Sequence, residues 1–276
     1  MTLSSTIRHL GPADFAACRA LTLDREWGPE DAVWRFLLAA VDGFGIDDPA
    51  GGLAGCVMVA RYGDDVASVG MMLVASRWER QGIGRRLMEQ ALAFAGDRVV
   101  VLYATGLGRP LYEKLGFRAV DEVTRFSGTY TPAAASPAAS VRPATADDFA
   151  AIVGLDAKIF GADRSGLLAR LAEASDPVYV AADGSGFALA RDERERLVIG
   201  PVAAHDEQTA CALVDAHARR APGRVRVDVP PRFATLSAWA RERGLEPTVT
   251  LPLMVYGGPV RGDRTIPSVI ASLSLG

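Results

Sequence analysis

Apolar residues recur at two periods along this chain, and the switches between them mark its elements. Leu87, Met88, Ala91, Leu92 and Ala95 share one face of a 3.6-residue repeat, which predicts a helix over 85–95. Before it the pattern becomes continuous apolar runs. LAGCVMVARY (53–62) and VASVGMMLV (66–74), separated by Gly63, Asp64 and Asp65, read as a hairpin, and residues 70–74 lead towards the helix as a strand. VVVLYA (99–104) is a further strand, followed by a short helix ending at Gly116. At the start of the chain a strand passes through a turn into a helix capped near Asp14, with Phe15 on its apolar side.

This order returns in the second half. IRHLGPADFAACRAL (7–21) aligns with VRPATADDFAAIVGL (141–155): Ile7, Arg8, Asp14, Phe15 and Ala16 meet Val141, Arg142, Asp148, Phe149 and Ala150 at a constant offset, the mark of a tandem duplication. The second copy has a helix capped near Asp147 and strands VYVAA and FALA around 183–186. Later come a strand VRVDV at 225–229 and a short helix ending at Gly244. TPAAASPAAS (131–140) is aperiodic and reads as a linker. The expected organisation is a domain at 1–130, a linker at 131–140 and a second domain at 141–276. Each domain is α+β around a mixed, antiparallel-rich sheet.

Composition narrows the function classes. A formal charge of −3 over 276 residues gives no overall field to attract nucleic acid or anionic lipid, and no run approaches a membrane span or a signal peptide. Cys18, Cys56 and Cys211 are odd in number and widely spaced, which fits a reducing, cytoplasmic setting. His9, His205 and His217 lack metal-ligand spacing, so no metal is expected.

RWERQGIGRRL (77–87) places Gly82 and Gly84 where each costs about 1 kcal/mol in a helix interior. At the start of a helix the same glycines bare main-chain N–H groups at the positive end of the dipole, a ready anion site. A dinucleotide loop would need glycine where Leu87 stands, and a P-loop would need Gly-Lys-Ser/Thr where Arg85 and Arg86 stand. LVASRWERQGIGRRLM resembles the cofactor motif of the GCN5-related N-acetyltransferase (GNAT) superfamily, and GRPLYEKLGF (108–117) is similar to its second signature. The resemblance covers most of residues 5–130. With WGPEDAVWRFLL and a second copy, the chain looks like a bacterial double-domain acetyltransferase. It departs from the family pattern at Ser76, Glu79 and Thr105, where proline, glutamine or arginine, and asparagine are common.

The resemblance implies acetyl-CoA as acyl donor, its diphosphate held by amides of Arg80, Gln81, Gly82, Ile83, Gly84 and Arg85, and its thioester by main-chain N–H groups of Met72, Leu73 and Val74. Thr105 would reach the pantetheine arm. Tyr112 is the candidate acid for the leaving thiolate and Glu26, chosen over Asp24, the candidate base. Trp27 and Trp34 are candidates for the acceptor wall, with at least one expected in the core.

In the second copy AAHDEQTACA (203–212) has neither glycine nor arginine, and Ala240 aligns with Tyr112. That copy is therefore expected to be degenerate, leaving one cofactor site per chain, and to pack against the first and shape the acceptor pocket. The implied function is acyl transfer from acetyl-CoA to the amine of a small molecule, with no nucleic-acid or membrane partner and a homodimer left open. A non-catalytic CoA-binding regulator is the alternative.

Overall fold

A computed structural model describes residues 6–28, 30–133, 139–175, 177–193, 196–221 and 223–276. Pro29 and the centre of the expected linker, 134–138, lie outside the described residues. In chain order the first half contains β1 (Arg8–Leu10), α1 (Phe15–Asp24), α2 (Asp31–Ala40), β2 (Asp42–Asp47), β3 (Leu53–Tyr62), β4 (Val66–Val74), α3 (Ile83–Ala95), β5 (Val99–Tyr103), α4 (Arg109–Lys114) and β6 (Arg118–Thr129). The second contains β7 (Val141–Pro143), α5 (Phe149–Phe160), α6 (Ser165–Glu173), β8 (Tyr179–Ala181), β9 (Gly186–Glu193), β10 (Arg196–Ala204), α7 (Glu207–Ala218), β11 (Arg224–Val229), α8 (Ala234–Glu242), β12 (Glu246–Tyr256) and β13 (Ser268–Val269).

The duplicated residues make duplicated contacts. Arg8 Nη2 donates to Asp14 Oδ1 at 2.8 Å, and Arg142 Nη2 donates to Asp148 Oδ1 at 2.8 Å. Asp14 also accepts from the Gly11 amide and Asp148 from the Thr145 amide, closing the turn before α1 and α5. The capping carboxylate of the second copy is thus Asp148, where the sequence pointed to Asp147. The third residue of a capping turn is the one whose side chain reaches back to the preceding amide. Helix α3 likewise begins at Ile83 and not at 85: Ile83 is buried, and a residue in the first turn needs no intrahelical acceptor for its N–H.

All strands join one sheet in the order β1-β2-β3-β4-β5-β12-β6-β11-β10-β9-β8-β7, with β13 beside β10. The two halves exchange their last long strands. Strand β12 lies antiparallel between β5 (Leu253 beside Tyr103) and β6 (Leu251 beside Val123), while β6 lies antiparallel against β11 (Phe126 beside Val227). The cores record the exchange: Met254 of β12 is buried among Val57, Leu87 and Leu102, and Phe126 of β6 among Val214, Val227 and Leu236. Burying each such side chain is worth about 1.5–3 kcal/mol. A third core, from Leu37 and Tyr62 to Leu168 and Leu275, draws on both halves. Among the described residues no helix is long and apolar enough to cross a membrane.

Candidate functional site

Strands β4 and β5 pair in parallel only where Val66–Ser68 face Val99–Val101. Beyond that they part. The register of β4 against β3 shifts between Cys56 and Met58, and Met71 adopts a left-handed φ of 46°, at a cost of about 1–2 kcal/mol for a non-glycine residue. From Val69 to Val74 one edge of β4 therefore has no strand beside it among the described residues. A cavity of about 360 Å³ occupies the opening, walled by Gly70, Met71 and Met72 on one side and by Leu102, Tyr103, Thr105 and Tyr112 on the other.

Tyr112 is buried in α4, its ring against Phe117 with centroids 5.9 Å apart and its hydroxyl over Gly108. Burial pushes the phenol up to about 12. No described protein group hydrogen-bonds that hydroxyl, which stays protonated and free to donate. Thr105 Oγ1 accepts from the Gly108 amide at 3.2 Å and keeps its own proton for another acceptor. Met72 faces the cavity. Leu73 is buried at Cys56, and Val74 is half-buried beside Gly84.

The glycine turn follows β4 directly. Gly82 has φ 81°, a left-handed conformation that turns the chain into α3, and Gly84 lies where a Cβ would sit 3.4 Å from Leu111 and 3.6 Å from Met72. The main-chain N–H groups of Arg80 to Arg85 donate to no protein acceptor among the described residues, and Arg80, Gln81, Gly82 and Arg85 are exposed. Three acidic side chains fix the turn from outside. Asp24 accepts from the Ser76 amide at 2.6 Å and from Ser76 Oγ at 2.9 Å. Asp48 takes the Arg77 guanidinium and Trp78 Nε1. Glu79, next to Arg80 in the chain, is paired with Arg25.

Glu26 and the cavity are not brought together: Glu26 is exposed, at φ 57°, and does not line the wall. Glu30 does, and both its oxygens accept from Arg196 Nη2 at 3.2 Å. Trp27 stands at the cavity, 43% exposed, whereas Trp34 is fully buried. The wall also contains residues that the sequence reading passed over. Arg125 of β6, Arg191 of β9 and Arg226 of β11 line it, as do Ser272, Leu273 and Ser274. Their segment is tied to the first half by Tyr62 Oη, which donates to the Leu275 carbonyl at 2.8 Å. One signal was present: RVRVDV alternates like a strand with a wet face, but Arg226 and Asp228 on that face are both buried.

The corresponding places in the second half are built differently. Helix α7 opens on Asp206, whose carboxylate accepts from the Thr209 amide at 2.8 Å, and Glu207 accepts from the Leu236 amide. Strands β10 and β11 also part, after Ile199 and Val227, but β13 enters between them. Val269 faces Val202, and the Ile270 amide donates to the Asp228 carbonyl. Gly200, φ 152°, makes room, since a Cβ there would lie 2.3 Å from the Ile270 carbonyl oxygen. The Phe117 amide donates to the Tyr112 carbonyl and the Leu245 amide to that of Ala240, so Ala240 holds the place of Tyr112.

Two models of the acetyltransferase (GNAT) domain match the chain, one over residues 34–119 and the other over 152–265. YitH of Bacillus subtilis, an uncharacterized N-acetyltransferase, is 28% identical over 219 residues, 77% of each chain. A solved structure from Pyrococcus horikoshii superposes with a TM-score of 0.80 at 19% identity, covering 98% of this chain and 95% of its own. The tandem GNAT protein from the clavulanic acid biosynthesis pathway gives 0.60 at 17% identity, over 92% and 99%.

Proposed function

The chain belongs to the GNAT acetyltransferases and carries two such domains in tandem, and we propose that the first alone binds an acyl-CoA, acetyl-CoA in the simplest case, and passes the acyl group to a small-molecule amine. One juxtaposition carries this reading: an unpaired strand edge at Val69–Val74 leads, through a short turn, to a helix mouth whose amides, Arg80 to Arg85, lack acceptors among the described residues. A diphosphate fits the mouth, because Gly82 and Gly84 leave it bare and Arg25 neutralises Glu79. The free edge of β4, from Met72 through Leu73 to Val74, can hydrogen-bond an extended pantetheine arm as a strand would and offer N–H groups to the thioester oxygen. Thr105 has a hydroxyl proton left to donate.

Transfer then asks little of the protein. The amine nitrogen bonds to the carbonyl carbon, the carbon–sulfur bond breaks, and the Tyr112 phenol protonates the departing sulfur before recovering its proton from solvent. The amine loses its proton to water. Glu26 lies off the wall, and both oxygens of Glu30 are taken by Arg196. The second domain has lost this chemistry on three counts: Asp206 fills its helix mouth, β13 fills its split and Ala240 replaces the tyrosine.

Calorimetric titration of the full chain with acetyl-CoA, together with thiol release across an amine panel, tests the proposal. One acetyl-CoA per chain and amine-dependent thiol release are expected. Preference for ATP over acetyl-CoA, or two equivalents bound per chain, would overturn it. Tight binding without turnover on any amine would favour a CoA-binding regulator.

A further inference from the structure

The cavity continues across the sheet from the β4 edge to three arginines on three strands: Arg125 of β6, Arg226 of β11 and Arg191 of β9. The lining thus joins the β4 edge at Met71 and Met72 to the guanidiniums, so different parts of one molecule can engage the two.

Charge at the far end does not balance. Asp228 accepts from Arg125 Nε at 2.9 Å and from Arg226 Nη2 at 2.6 Å, Glu193 accepts from Arg191 Nε at 3.1 Å and Arg196 Nε at 3.0 Å, and Glu30 accepts from Arg196. Among the described residues four guanidiniums thus share three carboxylates, and Arg224 at the adjoining mouth adds another positive charge. Asp31, also at that mouth, is engaged by Arg19. Arg226 is only 6% exposed. Burial, with a smaller contribution from the neighbouring Arg226, holds Arg191 below the ordinary arginine value. Crowded cations withdrawn from water favour an anion that brings its own oxygens, and the planar guanidinium fork suits carboxylate or phosphate.

We propose that Arg125, Arg191 and Arg226 recognise an anionic oxygen group on the acceptor, so that the substrate is a small amine also bearing a carboxylate or a phosphate. This rests on the reading of the cavity as the acceptor site. The acceptor's negative group lies at the arginines while its amine points back towards Tyr112 and the β4 edge.

Steady-state transfer by the full chain should be measured on two matched pairs, β-alanine with β-alaninamide and phosphoethanolamine with ethanolamine. The expected result is a kcat/KM about tenfold or more higher for the anionic member of at least one pair, that pair telling carboxylate from phosphate. Arg125→Gln should bring the ratio towards one, mainly through KM, with acetyl-CoA affinity kept. Arg125→Lys should fall between and serves if the glutamine variant folds poorly. Equal or better use of the neutral members in both pairs, or a ratio that Arg125→Gln leaves unchanged, would overturn the proposal.

Should none of the four amines react, titration with glutarate and with inorganic phosphate decides. Binding that weakens at least fivefold in Arg125→Gln supports the anion site, and no binding up to about 10 mM overturns it. Acetyl-CoA titration of the same samples keeps the two readings apart. Anion binding without acetyl-CoA binding sinks the acyltransfer reading alone, and acetyl-CoA binding without the anion effect sinks this one alone.

Discussion

The two halves build the same split in a β-sheet and treat it in opposite ways. In the first, the parting of β4 from β5 leaves a strand edge and a cavity, and the next helix opens on bare amides. In the second, the parting of β10 from β11 is closed by β13, and the next helix is capped by Asp206. Of the corresponding donors in the second half, the Ala204 amide reaches the Pro267 carbonyl and the Thr209 amide the Asp206 carboxylate, both from its own chain. A split sheet is thus a hydrogen-bonding demand, met by a ligand or by the protein.

The sharpest way to break this contrast is to give the first half the second half's cap. Gly82→Asp sets a carboxylate at the mouth of α3 and forces φ 81° on a non-glycine residue. Losing about three charge-assisted bonds at about 1.5 kcal/mol each should weaken acetyl-CoA binding roughly 10³-fold by calorimetry. Unchanged affinity would separate the helix mouth from the ligand.

Next in size is a stability difference confined to the second half. His217 is buried, with Nε2 3.1 Å from the Ala188 carbonyl oxygen, and burial holds its imidazole down at about 4. Between the unfolded value near 6.5 and about 4, the unfolded chain binds a proton that the folded chain refuses. Stability present above pH 6.5 is therefore lost as pH falls through that window, by about 3 kcal/mol at the acid end. Denaturant unfolding at pH 7 and pH 4.5 should show most of this loss, and His217→Gln should flatten it. A slope retained in the variant would assign the acid sensitivity to other groups.

The first half's own titratable group should be silent over that range. With its phenol at about 12, Tyr112 stays protonated at any ordinary assay pH, so no alkaline fall in rate below pH 9 should come from it. Tyr112→Phe is expected to lower kcat roughly 10²-fold with acetyl-CoA affinity nearly unchanged. A variant as fast as the parent would make the Tyr112/Ala240 difference irrelevant to chemistry. The smallest effect is expected from Asp24→Asn, which loosens Ser76 and with it the turn. Acetyl-CoA affinity should drop about tenfold and thermal stability only slightly. Equal affinity would show that the turn holds its shape without that clamp.

What was legible and what was not divides by range. The Arg8–Asp14 and Arg142–Asp148 pairs, the glycines at 82 and 84 and the missing tyrosine at 240 are local, and each is readable because its meaning depends on neighbours within a turn or two. The partner of β12 is not local: an apolar strand carries no mark of which edge it will join. The sequence therefore suggested two domains packed together, whereas the second half inserts β12 between β5 and β6. Deleting 141–276 would for that reason strip both edges bare and test folding before it tested the acceptor pocket.

The sequence alone determined the duplication, the mixed α and β character, the glycine-opened helix start and the absence of glycine and arginine at its counterpart, because backbone preference and hydrophobic period are properties of short stretches. Only the tertiary structure decided that β6 and β12 change places, that β13 closes one split, and that Arg125, Arg191 and Arg226 meet at the end of the other. Those outcomes depend on which surfaces, far apart along the chain, exclude water together. Alternation in RVRVDV is the same whether the polar face meets solvent or an interior cavity.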